Sequence, residues 1–179
     1  MSAEQPRDKP TGDWTIEFDA SIYGGGTVLK HPSGTIRQYF AVVWDGSEAE
    51  HLSVVTHDSA FQTFWEFATL LLCLLTWGDG FAGMAVTILG DNAGSLQNAL
   101  SLKGRGPLLA IARELSWRQV RRGWTFHVAH LPSDHNRIAD CLSRVADIND
   151  PAAWPRRSLS GAIAASPPRL HDIWRAAPS

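Results

Sequence analysis

Hydrophobic and polar residues alternate over residues 14–19, which is typical of a strand with one buried face. The three glycines at 24–26 predict a sharp connection, and residues 27–30 continue as a strand. A turn over residues 31–34 then leads into a third strand over residues 35–44. These segments predict an antiparallel meander of three strands.

The rest of the chain alternates between helical and strand patterns. Residues 61–77 are rich in Leu, Phe and Ala and lack Gly and Pro, so they predict a buried helix. Residues 84–89 form a short continuous apolar run, as in a strand covered on both faces. Further helices are predicted over residues 93–102, 107–122 and 134–145, with a strand over residues 124–131.

This order of elements predicts an α/β fold with a five-stranded mixed sheet, made of an antiparallel meander of three strands plus two parallel strands, with flanking helices. Residues 45–59 carry four acids and no Lys or Arg, which predicts an exposed connection. Pro, Ala, Ser and Arg dominate beyond residue 150. We therefore predict a flexible N-terminus over 1–12, one domain over 13–148, and a tail or linker over 149–179.

Composition favours an ordinary globular protein. The 179 residues are 44% hydrophobic and 19% charged, a balance that excludes a disordered chain. Cys73 and Cys141 fit neither a disulfide framework nor a zinc site. The polar start predicts no signal peptide, and the apolar stretch over 64–77 is shorter than a membrane span of about 20 residues. We expect a soluble intracellular protein, cytoplasmic or nuclear, without membrane contact.

Charge is distributed unevenly along the chain. The first 100 residues contain 4 Lys and Arg against 12 Asp and Glu, and the remaining residues contain 12 against 6. This asymmetry fits a molecule with a metal-binding pole and a phosphate-binding pole. It also fits two solvated faces, and charge alone favours that second interpretation.

Four carboxylates lie where packing does not explain them. Asp19 interrupts an apolar strand, Glu66 lies within the predicted buried helix, Asp91 ends a buried strand, and Asp140 lies in the last helix. A buried acid without a partner costs several kcal/mol or becomes neutral. Each acid taken alone also has an ordinary structural explanation. Asp19 could accept a strand-end hydrogen bond, and Glu66 could pair with an arginine. Asp91 could cap the following helix, and Asp140 could be an exposed helical charge. As a set they favour ligands of Mg²⁺ or Mn²⁺.

The order of these acids, and the strings around them, resemble the ribonuclease H family. The strings are IEFDAS over residues 16–21, WEFA over 65–68, ILGDN over 88–92 and HLPSDHNRIADCLSR over 130–144. The last string is similar to the end of the ribonuclease H domain in Ty3-like and DIRS-like retroelement reverse transcriptases. The resemblance covers residues 13–146.

The resemblance implies an endonuclease that hydrolyses the RNA strand of RNA–DNA hybrids with two metal ions, Mg²⁺ or Mn²⁺. The four carboxylates would hold both ions, with Asp19 between them. One ion would activate a water and the other would stabilise the departing 3′ oxygen, leaving a 5′ phosphate. His130 would assist proton transfer or product release, and His135 is the rival candidate.

The resemblance also implies partners. A hybrid is recognised through its backbone and 2′-hydroxyls, so glycines and amides would face the RNA strand and arginines would bind DNA phosphates. Only residues 102–107 occupy the place of the basic helical insertion of many cellular members, so a neighbouring reverse transcriptase polymerase domain is an expected partner. The candidate nucleic-acid contacts are Gly24, Gly25, Asn92, Gln97, Arg105, Arg118, Arg121, Arg122 and Asn136.

Three other interpretations remain open at the level of sequence. The first is a non-catalytic nucleic-acid or partner-binding module on the same fold, although all four acids are present. The second is another metal nuclease of this superfold, which a comparison of hybrid and duplex cleavage would separate. The third is a structural α/β domain, which predicts no rise in melting temperature with metal ions.

Overall fold

The computed structural model of the chain describes residues 14–81, 85–92, 97, 101, 106–146 and 157–170. Within these residues six strands and four α-helices follow one another, with short 3₁₀ turns at Ser59–Phe61, Gly78–Phe81 and Ser133–His135. In chain order the elements are β1 (Thr15–Ala20), β2 (Gly24–Lys30), β3 (Ile36–Val43), α1 (Gly46–His51), α2 (Gln62–Trp77), β4 (Ala85–Gly90), α3 (Gly106–Arg122), β5 (Thr125–His130), α4 (Arg137–Ser143) and β6 (Ile163–Ala164).

All six strands belong to one mixed sheet, ordered β5-β4-β1-β2-β3-β6. The first three strands pair antiparallel, whereas β4 pairs parallel to β1 and β5 pairs parallel to β4. The predicted α/β class, meander and pair of parallel strands are confirmed. The predicted number of five strands is wrong, because β6 adds a short strand parallel to β3.

The three glycines were predicted to form a connection, but they lie within β2. A Cβ on Gly26 would come within 2.4 Å of the Ala139 carbonyl oxygen in α4, and one on Gly25 within 2.5 Å of Thr69 Oγ1 in α2. Successive residues of a strand face opposite sides of the sheet. These glycines therefore let α4 approach one face of the sheet and α2 approach the other.

Helix α2 forms the centre of the core. Twelve of its residues are buried, among them Leu70, Leu71 and Cys73 at 0% exposure. The predicted buried helix is thus confirmed. The helical stretch Ser59–Phe81 is long and apolar enough by length and composition to cross a membrane, but it is mostly buried within the protein, as a core helix is.

The segment over residues 45–59 was predicted to be an exposed connection. It contains α1, capped by the Asp45 side chain, which accepts a hydrogen bond from the Ser47 N–H at 2.8 Å. Glu48, Ala49 and Leu52 are buried at 2%, 3% and 6% exposure. The prediction was wrong because part of this acidic segment packs against the core.

Residues 157–170, called the strap below, pack against the domain. Besides β6, the strap contributes Leu159 and Leu170, which are 6% and 1% exposed. The Glu48 carboxylate accepts hydrogen bonds from the Leu170 N–H and from Arg169 Nε, both at 3.0 Å. The stretch predicted as a tail or linker therefore contains a docked segment.

Candidate active site

The four candidate acids converge at one edge of the sheet. Strands β1 and β4 run parallel, so their carboxyl ends meet there. Asp19 lies near the end of β1, Asp91 directly follows β4, and Glu66 lies in the second turn of α2. Asp19 interacts electrostatically with both Asp91 and Asp140, and Glu66 interacts with Asp91.

Asp19 is the most strongly perturbed of these carboxyls. Burial, followed by the charges of Asp91 and Asp140, raises its pKa from 3.8 to about 8. The Ser143 hydroxyl donates a hydrogen bond to Asp19 at 3.1 Å, which opposes part of this shift. Near neutral pH the site therefore resists ionisation of Asp19 unless a cation supplies positive charge.

Glu66 lies in a similar environment. Burial raises its pKa from 4.5 to about 7, and the charge of Asp91 adds to the effect. Hydrogen bonds from Gln62 and Asn92 act in the opposite direction. Glu66 Oε2 is buried, and no described residue forms a hydrogen bond with it.

The other two acids are held by neighbours that sequence reasoning missed. Asp91 accepts a hydrogen bond from Ser133 at 3.3 Å, and Asp140 accepts one from Arg144 Nε at 2.7 Å. A detectable signal existed for Arg144, because its spacing of four residues from Asp140 places both on one helix face. Ser143 gave no such signal, since its bond to Asp19 crosses from α4 to β1.

The donor set fits hard divalent cations. Carboxylate oxygens are the ligands that Mg²⁺ and Mn²⁺ prefer, and the buried Glu66 Oε2 is free to serve as one. Across the described ranges, no three acid, imidazole or thiol side chains already form a ligand shell. Asp140 pairs with Arg144 through Oδ1, while its side chain also interacts with Asp19.

The sequence matches no protein-family model and no curated protein. Solved structures, in contrast, resemble it. LC11-RNase H1, isolated from compost by a metagenomic approach, is 17% identical with a TM-score of 0.53, over 74% of this chain and 93% of that one. RNase H1 from the halophilic archaeon Halobacterium salinarum NRC-1 is 19% identical with a TM-score of 0.56, over 76% and 98%. The chain has the ribonuclease H fold.

In this ribonuclease H fold His130 is the last residue of β5 and is exposed. Its partner across the ladder is Gly90, the residue before Asp91, so His130 lies at the same sheet edge as the acids. His135 is also exposed and lies 4.0 Å from the Asp134 carboxylate. The position of His130 at this edge favours it over His135 as the histidine of the site.

The candidate amide contacts to RNA have partners within the protein. Asn136 is 2% exposed and donates to the Phe18 carbonyl at 2.9 Å, which ties α4 to β1. Gln97 donates to the Val128 carbonyl at 3.1 Å, and Asn92 bonds to Glu66. Gly24 is buried, and a Cβ there would overlap the Val42 carbonyl oxygen and lie 3.2 Å from that of Ser143. These residues are thus bonded or packed within the protein, and their contact with RNA stays a prediction.

The candidate DNA-binding arginines that the structure describes, all on α3, lie away from the acids. Helix α3 runs into β5 through Gly123, so its C-terminal end lies opposite the sheet edge that carries His130, about 20 Å away along β5. Arg118 pairs with Glu114, Arg122 bonds to Asp79 at 2.7 Å, and Arg121 stacks on a tryptophan ring. Arg105 lies outside the described residues.

The raised pKa values of Asp19 and Glu66 predict a pH-dependent stability of the metal-free protein. Between about pH 4 and pH 7 both carboxyl groups are protonated in the folded state. In the unfolded chain their pKa is near 4, so over the same range they are ionised. Below about pH 4 these two groups take no stability from the folded state. As the pH rises from 4 to about 8, the folded state loses stability because the unfolded chain releases these protons more easily. We expect the free energy of unfolding to fall by roughly 2–5 kcal/mol across this range.

Melting curves in EDTA between pH 5 and pH 8 measure this effect. The double variant Asp19→Asn/Glu66→Gln should lose this part of the pH dependence. Added Mg²⁺ or Mn²⁺ should raise the melting temperature more at pH 8 than at pH 5, because protons compete with metal ions for carboxylates. A wild-type melting temperature that rises steadily with pH would contradict the expectation.

Proposed function

We propose that this protein is a metal-dependent endonuclease that hydrolyses the RNA strand of RNA–DNA hybrids. The observation that carries the proposal is the convergence of four carboxylates from four separate elements at one sheet edge. Burial, followed by the charges of Asp91 and Asp140, raises the pKa of Asp19 to about 8, and bound divalent cations would favour its ionised form. The ribonuclease H fold, shared with two RNase H1 structures, supports the choice of substrate.

In this proposal Asp19, Glu66, Asp91 and Asp140 hold two Mg²⁺ or Mn²⁺ ions. When bound, such ions lower the pKa of a water and neutralise charge on the departing 3′ oxygen. Ser143 positions Asp19, and Arg144 positions Asp140 through its Oδ1. The exposed His130 imidazole accepts or donates a proton beside Asp91.

We further propose that the domain over 13–148 acts within a retroelement reverse transcriptase, beside a polymerase domain. The string over residues 130–144 supports this context. The positions of the arginines on α3 also support it. Because two of them are paired internally and lie at the far end of the sheet, a neighbouring domain would have to supply part of the grip on the hybrid.

The proposal is tested by incubating the full chain with a labelled RNA–DNA hybrid in Mg²⁺, Mn²⁺ or EDTA. We expect metal-dependent cutting of the RNA strand only, with 5′-phosphate products and no cutting of duplex DNA. Asp91→Asn should abolish the activity. Asp134→Asn, which removes an exposed acid of the neighbouring loop, should retain it. Equal cutting of hybrid and duplex DNA would instead indicate another nuclease of this superfold.

A non-catalytic hybrid-binding module is the second candidate. The ion pair of Asp140 with Arg144 favours it, because the arginine offsets the negative charge of one of the four carboxylates. This candidate predicts hybrid binding without cleavage under every metal condition. It also predicts that Arg144→Ala, which releases Asp140, does not create cleavage.

A further inference from the structure

The segment between β3 and α2 contacts the turn that follows Asp19. This turn, residues 21–23, joins β1 to β2 at the sheet edge that carries the acids. Trp44 donates its backbone N–H to the Tyr23 carbonyl at 3.0 Å and its indole N–H to the Ser21 carbonyl at 2.9 Å. His57 donates its backbone N–H to the Ile22 carbonyl at 3.1 Å. The segment is thus fastened to the rim of the candidate active site.

His57 has an unusual backbone conformation. Its φ of 61° lies in the left-handed region, which only a few per cent of non-glycine residues adopt, histidine, asparagine and aspartate more often than the others. Such residues tend to occur where a functional requirement fixes the chain. Here the conformation brings the imidazole against the Tyr23 ring, with 4.8 Å between centroids and an angle of 48° between planes.

The two rings, called the rim pair below, retain unused hydrogen-bonding groups. His57 is exposed, and Tyr23 is half-buried. In the part of the chain that the structure describes, no residue forms a hydrogen bond with the His57 imidazole or with the Tyr23 hydroxyl. Since ring contact orients both groups, they form a small polar surface that is ready to bind a ligand.

The rim pair lies beside the acids. Strands β1 and β3 run in the same direction with β2 between them, so their carboxyl ends lie at one edge, roughly 10 Å apart. Asp91 and His130 lie on the other side of β1, over β4 and β5. A nucleic-acid strand could place one phosphate at the acids and continue toward β3. It would then pass over the rim pair within a few nucleotides.

We propose that the rim pair binds the ribose-phosphate backbone of the RNA strand next to the cleaved bond. The His57 ring N–H donates to a phosphate oxygen, and the Tyr23 hydroxyl bonds to a phosphate or a 2′-hydroxyl. This inference rests on the proposed function, because it takes the strand held at the acids to be RNA. It assigns a role in substrate binding to the segment over residues 45–59.

The experiment measures the affinity of the full chain for a labelled hybrid in EDTA, together with KM and kcat in Mg²⁺. His57→Asn keeps a residue that tolerates the left-handed conformation, so the fold should be preserved. We expect Kd and KM to rise about fivefold to tenfold with kcat within twofold, because a hydrogen bond to a charged group is lost. Tyr23→Phe, which retains the ring contact, should raise both about threefold.

Two control variants separate the imidazole from its surroundings. Ser53 is the other residue of the segment in the left-handed region, at φ 57°. Ser53→Gly removes the backbone strain at that position and leaves both rings in place. His51→Asn removes a different exposed imidazole of the same segment. Both should leave Kd and KM unchanged.

The outcomes distinguish this inference from the proposed function. If the wild type cleaves the hybrid and His57→Asn leaves Kd and KM unchanged, the inference is overturned and the proposed function stands. A lower kcat at unchanged KM would overturn it as well, since the rim pair would then act on the chemical step. If the wild type neither binds nor cleaves the hybrid, both fail.

Discussion

Asp19→Asn is expected to abolish metal-dependent cleavage of the hybrid while raising the melting temperature of the metal-free protein. The loss of activity should be at least about a thousandfold, because an amide would lack the anionic oxygens with which Asp19 would hold the metal ions. The gain in stability follows because the folded state keeps Asp19 mostly protonated at a pH where the unfolded chain ionises it, a cost that an amide does not carry. At pH 7.5 we expect an increase of about 2 kcal/mol, or roughly 4–8 °C in melting temperature.

Glu17→Gln provides a matched control in the same strand. Glu17 is also buried, but it pairs with Lys30 at 2.6 Å. Its substitution should lower the melting temperature and preserve cleavage, which is the opposite pattern. The measurement requires thermal melts in EDTA and initial cleavage rates in Mg²⁺ for all three proteins. An Asp19→Asn protein that is less stable than the wild type would contradict the account of Asp19 as an uncompensated buried acid.

Removal of residues 157–179 is expected to destabilise the domain by about 3 kcal/mol, or roughly 6–12 °C in melting temperature. Glu48, only 2% exposed, would lose two interactions, those with Arg169 and with the Leu170 N–H. The buried side chains of Leu159 and Leu170 would also be lost. The entropy regained by the released segment offsets part of this loss.

The contribution of the buried charge can be isolated. In the shortened chain, Glu48→Gln should recover about 1–2 kcal/mol, because a neutral amide loses less than a carboxylate when Arg169 is removed. In the full chain, Ile163→Ala should change stability by less than about 0.5 kcal/mol, since this β6 residue is 68% exposed. Identical melting temperatures for the full and shortened chains would show that the strap does not stabilise the domain.

Much of the fold could be predicted because its signals are local. The alternation over residues 14–19, the apolar run over 84–89 and the apolar helix over 61–77 each reflect a periodicity that the element itself imposes. The structure confirms all three as β1, β4 and α2. Their order along the chain was enough to predict the mixed sheet.

The errors share one physical cause, which is contact between segments distant in the chain. Glycine favours turns locally, so the glycines at 24–26 predicted a connection, whereas helix packing against β2 decides their place. Acidic residues favour solvent, so residues 45–59 predicted an exposed connection, whereas Arg169 stabilises a buried Glu48. Neither the helices that pack on β2 nor the arginine that pairs with Glu48 can be identified from the local sequence pattern.

The candidate site also has some properties that the sequence determined and others that only the folded structure decided. By itself the sequence determined the four candidate acids, because an acid in or directly after an apolar segment stands out in the sequence pattern. It also determined the order of elements that brings them to one sheet edge. Only the tertiary structure decided the pKa values of Asp19 and Glu66, the hold of Arg144 on Asp140 and the approach of His57 to Tyr23. Those properties depend on distances between side chains from different elements, and packing of the folded chain sets those distances.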